Sequence, residues 1–116
     1  MKNRVIFLGA LVVLIALYSL ATAQEGEEQS GKKIFEANKC ASCHSMEVIG
    51  IKKRANQKAP DLSTIGSEQD AEVLMKFLKK KEAINGVKHA MPFKGTDEEL
   101  AVLTRWLETQ KAEETK

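Results

Sequence analysis

Two cysteines stand three residues apart in "KCASCH", Cys40 and Cys43, and His44 follows the second directly. They are the only cysteines in the chain. Two thiols and an imidazole this close suit a redox dithiol, half of a zinc site, or the covalent seat of a haem. A structural zinc ion takes four ligands. Outside the motif the only further histidine is the distant His89, and three ligands from so tight a stretch would strain one tetrahedral ion. A thioredoxin-like dithiol belongs at the end of a strand in a β-α-β setting, and no strand signal of any length is present. A structural disulfide between Cys40 and Cys43 would close too small a loop to restrain the unfolded chain much. The haem reading uses all three residues. Cysteines three apart project from one side of a helical turn and can form thioethers with two vinyl groups on one porphyrin edge, which leaves the adjacent imidazole under the iron.

The segments around this motif must export it and position it. Lys2 and Arg4 precede "VIFLGALVVLIALYSL", which is free of charge, and Ala21-Thr22-Ala23 supplies small residues for a peptidase. Residues 1–23 therefore read as a signal peptide, with Gln24 the first mature residue. The alternative is that residues 5–23 stay as a membrane anchor, since roughly 20 apolar residues can span a bilayer. Either way the folded part lies outside the cytoplasm, in the periplasm or its equivalent. Removing Lys2 and Arg4 from 18 basic residues leaves 16, which matches the 16 Asp and Glu, so the mature chain has no formal net charge. Its charges are segregated, with base gathered at 51–58 and 76–81 and acid at both ends. One Trp, one Tyr inside the signal and no aromatic platform among the lysines argue against nucleic acid. The lysine runs read as solvated faces or as a docking surface for an acidic partner protein.

The remaining 93 of 116 residues make one small domain, whose core a prosthetic group would enlarge. Residues 24–29 read as an acidic, flexible tail, the domain as 30–112, and 113–116 as a C-terminal tail. "SGKKIFEANK" predicts a short helix capped by Ser30 and leading into Cys40. Residues 45–66 read mostly as loop, and "SEQDAEVLMKFLKK" as an amphipathic helix from Ser67 to near Lys80. Gly86, Pro92 and Gly95 make "INGVKHAMPFKG" a loop. "TDEELAVLTRWLETQK" has Thr96 and Glu99 for a capping box and Leu100, Leu103, Trp106 and Leu107 on one face.

These landmarks, in this order, resemble the class I monohaem cytochromes c over about residues 30–110. "GKKIFEANKCASCH" resembles that family's N-terminal helix, with Gly31 and Phe35 at its small and aromatic positions. "APDL" resembles the segment whose proline carbonyl, here that of Pro60, accepts a hydrogen bond from the proximal histidine. "AMPF" resembles the methionine loop, and "EELAVLTRWL" the C-terminal helix. The resemblance implies an all-α fold of about four short helices around one haem c, bound covalently through Cys40 and Cys43 and ligated by His44. It implies a monomeric one-electron carrier rather than an enzyme, exchanging electrons with redox proteins that carry acidic docking surfaces, and touching a membrane only if the N-terminal segment is kept. A haem enzyme or gas sensor with a labile sixth ligand, and a subunit of a larger respiratory or dehydrogenase complex, are the alternatives.

The sixth ligand separates these readings, because a closed iron exchanges electrons with little rearrangement and an open one admits small molecules. Met46 is too near His44 to reach the opposite face, and Met75 sits among the packing residues of an amphipathic helix. Met91 lies in a loop stiffened by Pro92 and matches the family's ligand, so the iron is expected to be held by His44 and Met91, which implies a comparatively high potential. His89 is the other contender, and an imidazole there would lower the potential relative to a thioether.

Overall fold

The computed structural model describes the backbone of residues 2–112 and the side chains of 2–19 and 26–112. The expected tail at 113–116 lies outside the described residues. The fold is all-α. Three α-helices, α1 (Lys2–Ala37), α2 (Ala71–Leu78) and α3 (Asp97–Glu108), are joined by 3-10 turns at Cys40–Ser42, Glu47–Ile49 and Ile65–Ser67. The described residues form no strand, only isolated bridges between Met46 and Ile51 and between Ile84 and Val87.

The first helix differs from expectation in extent. Residues 24–29 continue the helix instead of fraying, and Ser30 does not cap it: its Oγ donates to Gly26 O at 2.7 Å, one turn back. A helical apolar segment on one side and a core-anchored turn on the other leave the acidic stretch little reason to break. Glu27 adds an exposed ion pair to Arg105 of α3 at 3.5 Å. The part spanning Lys2–Ser19 is long and apolar enough to cross a membrane, and none of it is buried against the rest of the chain. That fits a signal peptide or an anchor equally.

Past Asn38, Lys39 takes a left-handed conformation (φ 57°), which ends α1 and starts the 3-10 turn bearing the cysteines. The second helix begins at Ala71, not Ser67. Asp70 is its cap, accepting from Val73 N at 2.9 Å. The hydroxyl of Ser67 is used elsewhere, accepting from Ala112 N at 2.8 Å, so the chain end is tied beside the third 3-10 turn. The third helix carries the expected reciprocal box. Glu99 N donates to Thr96 Oγ1 at 3.1 Å and Thr96 N to Glu99 Oε2 at 2.9 Å, and the acids of its first turn face the positive end of the helix dipole.

The core joins α1, α3, α2 and the segment after the cysteines through Phe35, Met46, Leu74, Leu103, Trp106 and Leu107. Fully burying side chains of this size contributes about 1.5–3 kcal/mol each. Phe35 meets Trp106 edge to face, with ring centroids 5.7 Å apart. Met46, barred from ligation by its position in sequence, is fully buried here. The crossing of α1 over α3 needs a residue without a side chain, because a Cβ on Gly31 would lie 2.3 Å from Trp106 Cβ and Cγ. Gly31→Ala is expected to cost about 1–3 kcal/mol through overpacking. Gly26→Ala, with nothing within 4 Å of the new methyl, should cost nothing. Denaturant unfolding of the two haem-loaded variants checks this, and equal midpoints would contradict so close a crossing.

Candidate functional site

The site begins where α1 stops. Cys43 N and His44 N both donate to Cys40 O, at 3.1 and 2.9 Å, so the whole motif is wound into one tight turn. Both thiols are free, Cys40 half-buried and Cys43 exposed. Burial pushes the Cys40 thiol up from its ordinary pKa, keeping it protonated. Across the turn, the Arg54 guanidinium donates to Ala41 O at 2.7 Å and also to Ser42 O. It thereby occupies the carbonyls between the cysteines and holds a fixed positive charge beside them. Nothing in the spacing of "IKKRANQK" distinguished Arg54 from its lysine neighbours, because its partners are backbone atoms brought near only by folding.

His44 is oriented from below by Pro60, whose carbonyl lies 2.8 Å from Nδ1. A carbonyl can only accept, so Nδ1 carries the proton and Nε2 presents a lone pair. Burial dominates the electrostatics of this ring and lowers its pKa. The Pro60 contact acts to raise it, and His89 lowers it again. The neutral imidazole that results is the form that binds a metal.

Pro60 is held in turn by Asp61. The Asp61 carboxylate accepts from Ser45 Oγ at 2.6 Å, Ser63 N at 2.9 Å and Glu47 N at 3.3 Å, lacing the strand of chain after His44 to the one after Pro60. Leu62 N adds a bond to Ser45 O at 3.0 Å. Gln57 Nε2 closes the network on Ser45 Oγ and Ala59 O, both at 2.9 Å.

The opposite wall is the segment from Ile84 to Phe93. Ile84 and Val87 exchange both backbone hydrogen bonds at 3.0 Å around Asn85 and Gly86, which have φ of 51° and 77°. This is the two-residue hairpin that Asn-Gly favours, a signal the reading of the segment as plain loop missed. Phe93 N fastens the far end to Leu78 O at 2.9 Å. Between these anchors the structure brings His89 to His44, their rings parallel within 8° and their centroids 6.1 Å apart. It leaves Met91, two residues on, 57% exposed.

Among the described residues no three His, Cys, Asp or Glu side chains converge on one point where they could share a metal ion. What the site offers instead is two free thiols in one turn beside an imidazole with its Nε2 available. That donor set fits a covalently attached haem, Cys40 and Cys43 taking the vinyl groups and His44 the iron. An all-α domain built around such a motif is a haem-attachment domain. A model of the cytochrome c family matches residues 28–111, and the chain belongs to that family. No curated protein and no solved structure matched it. Membership makes the chain a haem-binding electron-transfer domain.

Asp61 gives the site a measurable acid response. Burial acts to raise its pKa, but the hydrogen bonds from Ser45, Ser63 and Glu47 outweigh it and hold the carboxyl at about 2, against an ordinary 3.8. The unfolded chain therefore binds this proton more readily, so the stability due to Asp61 is complete above pH 3.8 and is lost as pH falls towards 2. Unfolding midpoints of the haem-loaded protein should fall through that window. In Asp61→Asn they should start lower at neutral pH and slope less. Parallel slopes for the two proteins would remove Asp61 from this role.

Proposed function

We propose that this chain is a one-electron carrier in a periplasmic electron-transfer chain. It holds one haem c through Cys40 and Cys43, with His44 as the proximal ligand and Met91 as the distal one. The observation that carries the reading is the His44 hydrogen bond to Pro60, which fixes the tautomer and aim of an imidazole that two free thiols accompany in one turn. When bound, the haem supplies an iron centre that cycles between ferrous and ferric. The chain's own part is to present Nε2 of His44, to keep the ring neutral by burial, and to close the opposite side with a loop pinned at Ile84 and Phe93.

The N-terminal apolar helix supports export, either as a cleaved signal or as an anchor. Protein purified from its own host should contain a covalent haem adduct on a chain starting at Gln24, as read by intact mass. A full-length adduct would instead mean an anchored carrier. In either form the ferrous protein should titrate as a single one-electron couple and stay closed to carbon monoxide. Direct binding of carbon monoxide would turn the reading towards a haem enzyme or gas sensor.

The docking surface of a monomeric carrier is narrower than the lysine runs suggest. Lys76 pairs with Glu72 and Glu82, Lys79 pairs with Asp97, and Arg54 is committed to the haem-attachment turn. Lys52, Lys53, Lys58, Lys88 and Lys94 are exposed and take part in no ion pair among the described residues. These would meet an acidic redox partner, speeding encounter without tight binding. Electron transfer to that partner should slow as ionic strength rises and slow further in Lys52→Glu/Lys53→Glu. A rate indifferent to salt would rule the surface out.

A further inference from the structure

The basic stretch 51–58 is fastened at every third residue to the haem motif or to the residues just after it. Ile51 exchanges backbone hydrogen bonds with Met46, at 2.9 and 3.1 Å. Three residues on, the Arg54 guanidinium donates to Ala41 O at 2.7 Å and to Ser42 O. Three further on, Gln57 Nε2 donates to Ser45 Oγ and Ala59 O, and Gln57 N donates to Arg54 O at 3.1 Å. Lys52, Lys53 and Lys58 are exposed and take part in no ion pair among the described residues.

Arg54 differs from these lysines in being fixed. Both of its bonds leave from Nη2, whose two hydrogens are thereby used on the two carbonyls between the cysteines. A lysine ammonium is a compact, strongly hydrated charge on a flexible stem, whereas the guanidinium is planar and stays charged at any working pH. With haem attached through Cys40 and Cys43, those carbonyls belong to the turn that is covalently joined to the porphyrin edge. Coulomb repulsion from a positive charge fixed there disfavours the added positive charge of ferric iron. The guanidinium is exposed, so ions and water screen it, and its hold on the backbone is what keeps the charge at close range. The nearby Asp61 does not cancel it. That carboxylate is spent on Ser45, Glu47 and Ser63 and takes part in no ion pair among the described residues.

We propose that Arg54 is a positioning residue of the carrier: held on the Ala41 and Ser42 carbonyls, its charge raises the midpoint potential of the haem above that of the same turn without it. Arg54 touches no reacting atom and transfers nothing. The inference rests on the one-electron carrier reading and gives the basic stretch a role separate from docking. Arg54 sets the potential, and Lys52, Lys53 and Lys58 face the partner.

The test is a spectroelectrochemical titration of the full haem-loaded chain at one pH and ionic strength, comparing wild type with Arg54→Gln, Arg54→Lys and Lys53→Gln. Arg54→Gln, which removes the charge, should lower the midpoint while leaving the visible spectrum unchanged. Arg54→Lys, which keeps the charge but loses the planar fork, should fall between that variant and wild type. Lys53→Gln, which removes one charge from the same stretch, should stay at the wild-type value. An Arg54→Gln midpoint equal to wild type would overturn the proposal. So would an equal shift in Lys53→Gln, which would assign the effect to net charge alone. A shift accompanied by a changed spectrum would overturn it too, since the axial ligands would then have moved. A wild type without a reversible one-electron couple would overturn the carrier reading itself. Should Arg54→Gln fail to accumulate, Arg54→Lys below wild type with Lys53→Gln at it supports the proposal, and Arg54→Lys equal to wild type ends it.

Discussion

The hydrogen bond from His44 Nδ1 to Pro60 O is the constraint on which the rest of the site depends. A histidine at the end of a tight turn has two nitrogens and a free torsion, and only one combination gives Nδ1 to the carbonyl and leaves Nε2 free to hold a metal. The carbonyl fixes that combination, and several weaker contacts exist to fix the carbonyl. Asp61, Ser45, Ser63 and Gln57 connect the chain on either side of Pro60. A charged acceptor at the centre makes those bonds stronger than neutral ones. The network thus converts a few short polar side chains into a rigid floor for one imidazole.

Much of this architecture is legible in the residues, and what is not has a physical cause in each case. The haem motif, the capping box of Thr96 and Glu99 and the apolar face of Leu100, Leu103, Trp106 and Leu107 depend on local spacing or on apolar periodicity, and both survive translation into sequence pattern. Helix starts were less legible. Ser67 and Asp70 are both good caps, and the choice fell to Asp70 because Ser67 is bound to Ala112, a contact across 45 residues. The acidic stretch 24–29 has no apolar residue to announce a helix, and it is helical because both its neighbours are. Arg54 looked like one more base in a basic run, since its partners are main-chain atoms that carry no sequence signature.

The distal loop is the instructive case. Its sequence holds two donors two residues apart, His89 and Met91, and a Pro that stiffens the second. The family resemblance points to Met91, and the structure also places the His89 ring beside His44. The loop sets out from the Asn-Gly turn, whose paired positive φ values reverse the chain at Gly86. In this loop the histidine ring turns back to meet the carbonyl of Met91, so one residue supplies the ring and the other its hydrogen-bond acceptor.

An electron carrier gains from such fixing at both walls. The barrier to transfer grows with the rearrangement that accompanies a change of charge, and ligands anchored by short hydrogen bonds to backbone have little room to rearrange. Here the His44 ring is tied to the segment after the motif and the His89 ring to its own loop, each through a backbone carbonyl. The two walls are joined through the core, where Met46 follows His44 and Phe93 follows Met91 into contact with the packing of α1 and α3. A small domain with few buried residues therefore concentrates its rigidity around the haem-attachment turn and leaves its lysines on the outside.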